Sequence, residues 1–153
     1  MRVSAKADYA VRAMLELVGG GDGTPIKGDL VAEAQEIPVR FLENILAELR
    51  HAGLVQSRRG ADGGYWLARA PEEITVAEII RAVEGPLATV RGEPAEELDY
   101  PDDAAVLKEV WIALRANIRQ VLESVSLADL AGGEPPEVVK GIASRSTFST
   151  AGD

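Results

Sequence analysis

Cysteine is absent from this 153-residue chain, and histidine occurs once, at His51. No disulfide, thiolate metal site or cysteine nucleophile can form without a thiol. A single imidazole leaves almost no room for zinc or for a Ser-His-Asp triad. No apolar run approaches the roughly 18–20 residues needed to cross a bilayer. The opening Met1-Arg2-Val3-Ser4-Ala5-Lys6-Ala7-Asp8 has no apolar signal core, so a cytoplasmic location is expected. What the chain does contain, 46% hydrophobic and 27% charged residues, suffices to bury a core in one ordinary domain, or in a small domain with an oligomerisation arm.

A net charge of −9 argues on its own against a nucleic-acid partner, but the charges are unevenly spread. Residues 1–70 hold nine Lys/Arg against nine acids, so the whole deficit lies in the remaining 83 residues. Within 40–69 five arginines leave a surplus of +2, whereas 72–103 sums to −8. Such asymmetry reads as a polyanion-facing front and an acidic back.

Periodicity gives the elements. Tyr9/Ala10, Ala13/Met14 and Leu17/Val18 recur at helical spacing over 4–18 behind a capping Ser4, and five residues from Gly19 to Gly23 end that helix. A short helix is expected over 28–36 with Leu30, Val31 and Ala34 inward. A third follows over 38–52, opened by Pro38 and closed at Gly53, burying Leu42, Ile45, Leu46 and Leu49. Strand patterns at 54–58 and 65–68 flank the turn Arg59-Gly60-Ala61-Asp62-Gly63-Gly64. Thr75 and Glu78 form a capping box before a helix at 75–84. An apolar stripe then runs through 103–125, and Ser126 opens a further short turn. The fold class expected is mostly α with a small β-hairpin. Its division is a winged helix-turn-helix domain at 1–84, an acidic loop at 85–102, a long dimerisation helix with its following turn at 103–131, and a flexible tail at 132–153.

Three helices followed by a hairpin is the order of a winged helix-turn-helix domain, with 38–52 as recognition helix and the hairpin as wing. A helix of this width fits the major groove of double-stranded DNA, and its first turn meets base edges. That turn carries Val39, Arg40 and Glu43. Arginine suits a phosphate or a guanine edge, and glutamate suits a cytosine amino group. Arg50 and His51 close the same helix, His51 as a dipole or phosphate partner rather than a metal ligand. At the wing, Arg58 and Arg59 stand among Gly60, Gly63, Gly64 and Tyr65, where backbone can approach a phosphate or an arginine can enter a narrow minor groove.

Asp8-Tyr9-Ala10-Val11-Arg12-Ala13, Ile37-Pro38-Val39-Arg40-Phe41-Leu42, Ala52-Gly53-Leu54-Val55, Arg59-Gly60, Gly63-Gly64-Tyr65 and Ser126-Leu127-Ala128-Asp129-Leu130 together resemble the Rrf family of bacterial transcription factors, which includes the IscR, NsrR and CymR types. The resemblance covers about residues 1–130. It implies a homodimeric repressor on a partly palindromic operator, with the long helix as dimer element. By the same resemblance Arg59 matches a wing arginine that enters the minor groove, Glu43 a base-reading position, and Ser4 and Lys6 phosphate-contacting positions. Cluster-binding relatives place three cysteines in the loop corresponding to 85–105, and here that loop has none. Asp8 matches a carboxylate ligand of some members, but one oxygen without thiolates does not hold an iron–sulfur cluster. No cofactor or metal is expected. In the resembled family this loop houses the sensor, and cluster-free members respond to metabolites or to enzyme partners.

Val106, Leu107, Val110, Trp111, Leu114, Ile118, Val121, Leu122 and Val125 expose more apolar surface than one small winged domain covers. Pairing with a second copy would bury it. The competing reading is a winged-helix protein-interaction module with little intrinsic DNA binding, in line with the charge of −9. An enzyme is not expected. The acids of 93–103 have no nucleophile–base pair beside them, and Gly19–Gly23 lacks the preceding strand and closing Lys-Ser/Thr of a phosphate loop.

Overall fold

The computed structural model describes residues 2–147. Its elements are α1 (Ala5–Val18), α2 (Gly28–Gln35), α3 (Val39–His51), β1 (Val55–Arg58), β2 (Gly64–Leu67), α4 (Val76–Glu84), α5 (Val106–Ser124), α6 (Leu127–Gly132) and α7 (Glu137–Thr147). Ser4 caps α1 by accepting the Ala7 N–H at 3.0 Å. The helix then buries Ala10, Ala13, Met14 and Leu17 along one stripe, as the three-to-four spacing predicts. α3 contributes Leu42, Ile45, Leu46 and Leu49, all within 1% of full burial. It ends where Leu54 N–H returns to the Leu49 carbonyl at 3.0 Å, with Gly53 at φ +75°. Together with Val31, Ile74 and Ile79 these side chains make the core of the winged domain.

α2 differs from its expected packing. Val31 and Ala32 face inward, while Leu30 is 54% exposed and Ala34 lies outside. Two helical turns leave the phase of so short a stripe ambiguous, and docking against α1 and α3 decides it.

The capping boxes of α4 and α6 are stitched to each other. Val76 N–H donates to the Val125 carbonyl and Leu127 N–H to the Ile74 carbonyl, both at 2.9 Å, so Thr75 and Ser126 pair across an antiparallel bridge. This anchors the end of α5 beside the start of α4. The 85–102 segment is a loop, but a tethered one: Leu87, Ala95 and Leu98 are buried, and 3-10 turns form at Ala95–Glu97 and Asp102–Ala104. The expected tail carries a helix, α7, which packs on α5 with Val138, Val139 and Ile142 half-buried. Three apolar residues among Pro, Gly, Ser and Thr were too weak a pattern to announce it. Residues 148–153 of that expectation lie outside the described residues.

Candidate nucleic-acid interface

Val39 and Arg40 begin α3; Pro38, expected as the first helical residue, stands one position earlier as the N-cap, with φ −57° and ψ 127°. Arg40 and Glu43 are exposed, and Val39 keeps 47% of its surface. They lie opposite Leu42, Ile45 and Leu49, which hold the helix in the core. Arg50 and His51, in the last turn, are exposed too. Arg50 Nη1 donates to Ser57 Oγ at 3.1 Å, tying the recognition helix to the first wing strand. His51 Nδ1 lies 2.9 Å from the Ala47 carbonyl.

The wing pairs Val55 with Leu67, Gln56 with Trp66, Ser57 with Tyr65 and Arg58 with Gly64. Gln56 accepts the Trp66 indole N–H at 3.0 Å, a cross-strand bond that stiffens the ribbon. Ile26, between the helix-ending glycines and α2, adds a third, single-residue strand to the ribbon. Its N–H and carbonyl exchange bonds with Tyr65 at 2.9 and 2.8 Å. A single bridge residue has no period for sequence reading to detect.

Arg58 and Arg59 are exposed at the wing tip. Arg58 donates to the Asp62 carbonyl at 3.0 Å, which curls the tip. Among the described residues no carboxylate pairs with Arg40, Arg58 or Arg59. These cations therefore keep their charge for an external anion.

Other expected contact residues are occupied or covered. Lys6 pairs with Glu48 at 2.9 Å, so a phosphate at Lys6 has to compete with a carboxylate. Ser4 caps α1 and donates its hydroxyl to Glu84. Gly63 is buried, Gly64 and Tyr65 are half-buried, and both glycines stand where no side chain fits. Their packing explains these three residues without any DNA. Gly60 remains exposed at the tip.

The nine apolar residues assigned to the long helix divide into two sets. Ile118 and Leu122 pack on Ala77, Ile80 and Leu87 of the same chain. Trp111 is half-buried with its indole N–H on the Tyr100 hydroxyl at 3.1 Å, and Val125 is buried beyond the helix end. These four serve the chain's own packing. Val106, Leu107 and Val110 are 71%, 38% and 51% exposed, and Leu114 and Val121 continue their face, half-buried. No residue of α5 is fully buried.

Iron chemistry finds no donor set here. The chain has no thiol, and its one imidazole stands on α3, bonded to a backbone carbonyl. Asp8 is paired with Arg12 at 3.1 Å. No group of three His, Cys, Asp or Glu residues suited to a metal occurs among the described residues. The soft ligands that hold iron–sulfur centres are missing.

Residues 3–133 match the family model described as Rrf2, iron-dependent transcriptional regulator. The HTH-type transcriptional regulator Rv1287 of Mycobacterium tuberculosis is 50% identical over 143 residues, 94% of this chain and 89% of that protein. CymR of Bacillus subtilis, also an HTH-type transcriptional regulator, is 37% identical over 131 residues, 86% of this chain and 90% of its own length. Among solved structures, CymR (YrzC), the global cysteine regulator of B. subtilis, superposes with a TM-score of 0.73 at 35% identity, covering 86% of this chain and 97% of that one. IscR of T. potens does so at 0.70 and 39% identity, covering 87% and 88%. The solvent-facing first turn of α3, the arginine-tipped wing and these likenesses lead to one conclusion: the chain belongs to the Rrf2 family of helix-turn-helix transcriptional regulators and is not an enzyme.

Proposed function

We propose that this protein is a sequence-specific repressor that binds a partly palindromic operator as a homodimer in the cytoplasm, without an iron–sulfur cluster. One observation carries the reading: Arg40, Arg58 and Arg59 are exposed and without carboxylate partners among the described residues, in a chain whose total charge is −9. Arg40 and Glu43 read base edges, and Arg59 enters the minor groove. Arg58, with Lys6 once it leaves Glu48, neutralises phosphates. The uncovered face of Val106, Leu107, Val110, Leu114 and Val121 supports two-fold pairing, which sets two recognition helices about one DNA turn apart.

The charge of −9 favours the competing reading, a protein-interaction module. Titration of a fluorescent duplex selected from a randomised pool, at several salt concentrations, separates the two. The repressor reading expects affinity to fall steeply with salt and to exceed that for bulk DNA by about 10³-fold or more. Equal affinity for every sequence, or no salt dependence, would overturn it.

A further inference from the structure

Away from the wing, cations gather in one more place. Residues 71–153 hold seven Lys and Arg against sixteen acids. Three of those seven, Arg81 of α4 and Arg115 and Arg119 of α5, line one open cavity of about 410 Å³ with Gly85, Pro86 and Leu87. That volume lies in the range of small-molecule sites. The lining mixes three guanidiniums with the apolar surface of Pro86 and Leu87, which suits an organic anion better than a bare inorganic ion.

The arginines already hold carboxylates. Arg81 and Arg119 share Glu123, the latter through Nε at 3.0 Å, and Arg115 Nη1 holds Glu96. The hydrogen bonds from Arg81 and then from Arg119 keep the Glu123 carboxyl below the usual range. Glu96 is lowered by its own backbone N–H and, against some desolvation, by Arg115. Both are therefore ionised at neutral pH, and the three arginines outnumber the two carboxylates that pair with them. Glu84, beside the cavity's Gly85, is engaged by the Ser4 hydroxyl. The Nε–H of Arg115 is buried and has no acceptor, although a guanidinium pairs best with a carboxylate through two parallel N–H groups.

We propose that this cavity binds a small organic anion bearing a carboxylate, through Arg81, Arg115 and Arg119. The ligand's carboxylate takes the place of Glu96 on Arg115 and satisfies the orphaned Nε–H. Glu96 belongs to the 3-10 turn Ala95–Glu97, so this exchange unties the acidic loop from α5 and couples loop position to occupancy.

The test is amide NMR and calorimetry on the full chain without DNA, so its outcome is independent of the DNA-binding reading. Succinate, citrate and glutamate are titrated against inorganic phosphate and sodium chloride at matched ionic strength. At least one carboxylate is expected to bind saturably in the millimolar range or tighter, moving the amides of Gly85, Leu87, Arg115 and Arg119. Arg119→Gln, a substitution at an exposed side chain, should weaken binding at least ~tenfold with an unchanged melting transition. Arg81→Gln should do the same. No saturable shift from any of the three carboxylates, undiminished affinity in Arg119→Gln, or phosphate binding as tightly as the best carboxylate would each overturn the proposal.

Discussion

Gly64 lies so close to the backbone of Ile26 that a Cβ on it would fall 2.5 Å from the Ile26 carbonyl oxygen. Its φ of +145° also disfavours an L side chain. The wing is thereby locked onto the segment between α1 and α2. Gly64→Ala is expected to cost about 1–3 kcal/mol of folding stability, measured by urea unfolding. It should also weaken DNA binding by displacing the wing. Unchanged stability would show that the wing is not held there.

Arg59 makes no bond within the described residues that its loss would break, so Arg59→Ala should leave the melting temperature alone. Affinity for the operator is expected to fall by about 1–3 kcal/mol, with a change of about one in the salt slope if the side chain also neutralises a phosphate. Anisotropy titrations across a salt series measure both.

Glu43 is an acid on the surface proposed to face DNA, and it contributes no attraction to phosphates of its own. Glu43→Ala should therefore broaden base preference more than it lowers affinity. Selection from a randomised duplex pool gives the answer: an unaltered consensus would reduce Glu43 to a solvated helix position.

The two faces of α5 predict opposite phenotypes. Val110→Asp, at a position 51% exposed, should shift sedimentation from dimer to monomer while leaving the fold intact. Ile118→Ala removes a contact with Ile80 and Leu87. It should cost about 1–3 kcal/mol, less than a full core truncation because the residue is half-buried, and leave the association state unchanged.

Burial alone would raise the Glu78 carboxyl, but hydrogen bonds from Arg69 and from the Thr75 backbone together hold it below the ordinary range. A carboxyl depressed in the folded state binds its proton less readily than in the unfolded chain. Its stabilisation is therefore complete above the unfolded value, about 4.3 for glutamate, and is lost as pH falls through the lower folded value. Glu78→Gln should be less stable than the parent at neutral pH, and the difference should shrink on acidification. Unfolding curves at several pH values would test this.

Much was legible without coordinates because it depends on neighbours in the chain. The core residues of α3, its stop at Gly53, the Thr75–Glu78 and Ser126–Asp129 caps and the Arg59–Gly64 turn are all local patterns with known periods or offsets. The exposure of Arg40 and Glu43 followed from the same phase: once Leu42, Ile45 and Leu49 face inward, these two side chains face out. Weak or short patterns failed, as with Leu30 on a two-turn helix and the apolar residues of α7.

Sequence alone determined the winged order of elements, the arginines placed on the third helix and the wing, and the absence of thiolate chemistry, since composition and short-range periodicity specify these directly. Tertiary structure decided which expected contacts are already taken. Lys6 meets Glu48 across 42 residues, Gly64 meets Ile26, and Ile118 and Leu122 turn to their own domain while Val106 and Val110 do not. The convergence of Arg81, Arg115 and Arg119 on one cavity was decided the same way. Each of these joins residues far apart in the chain, and only packing in three dimensions chooses among the partners that charge and hydrophobicity would allow.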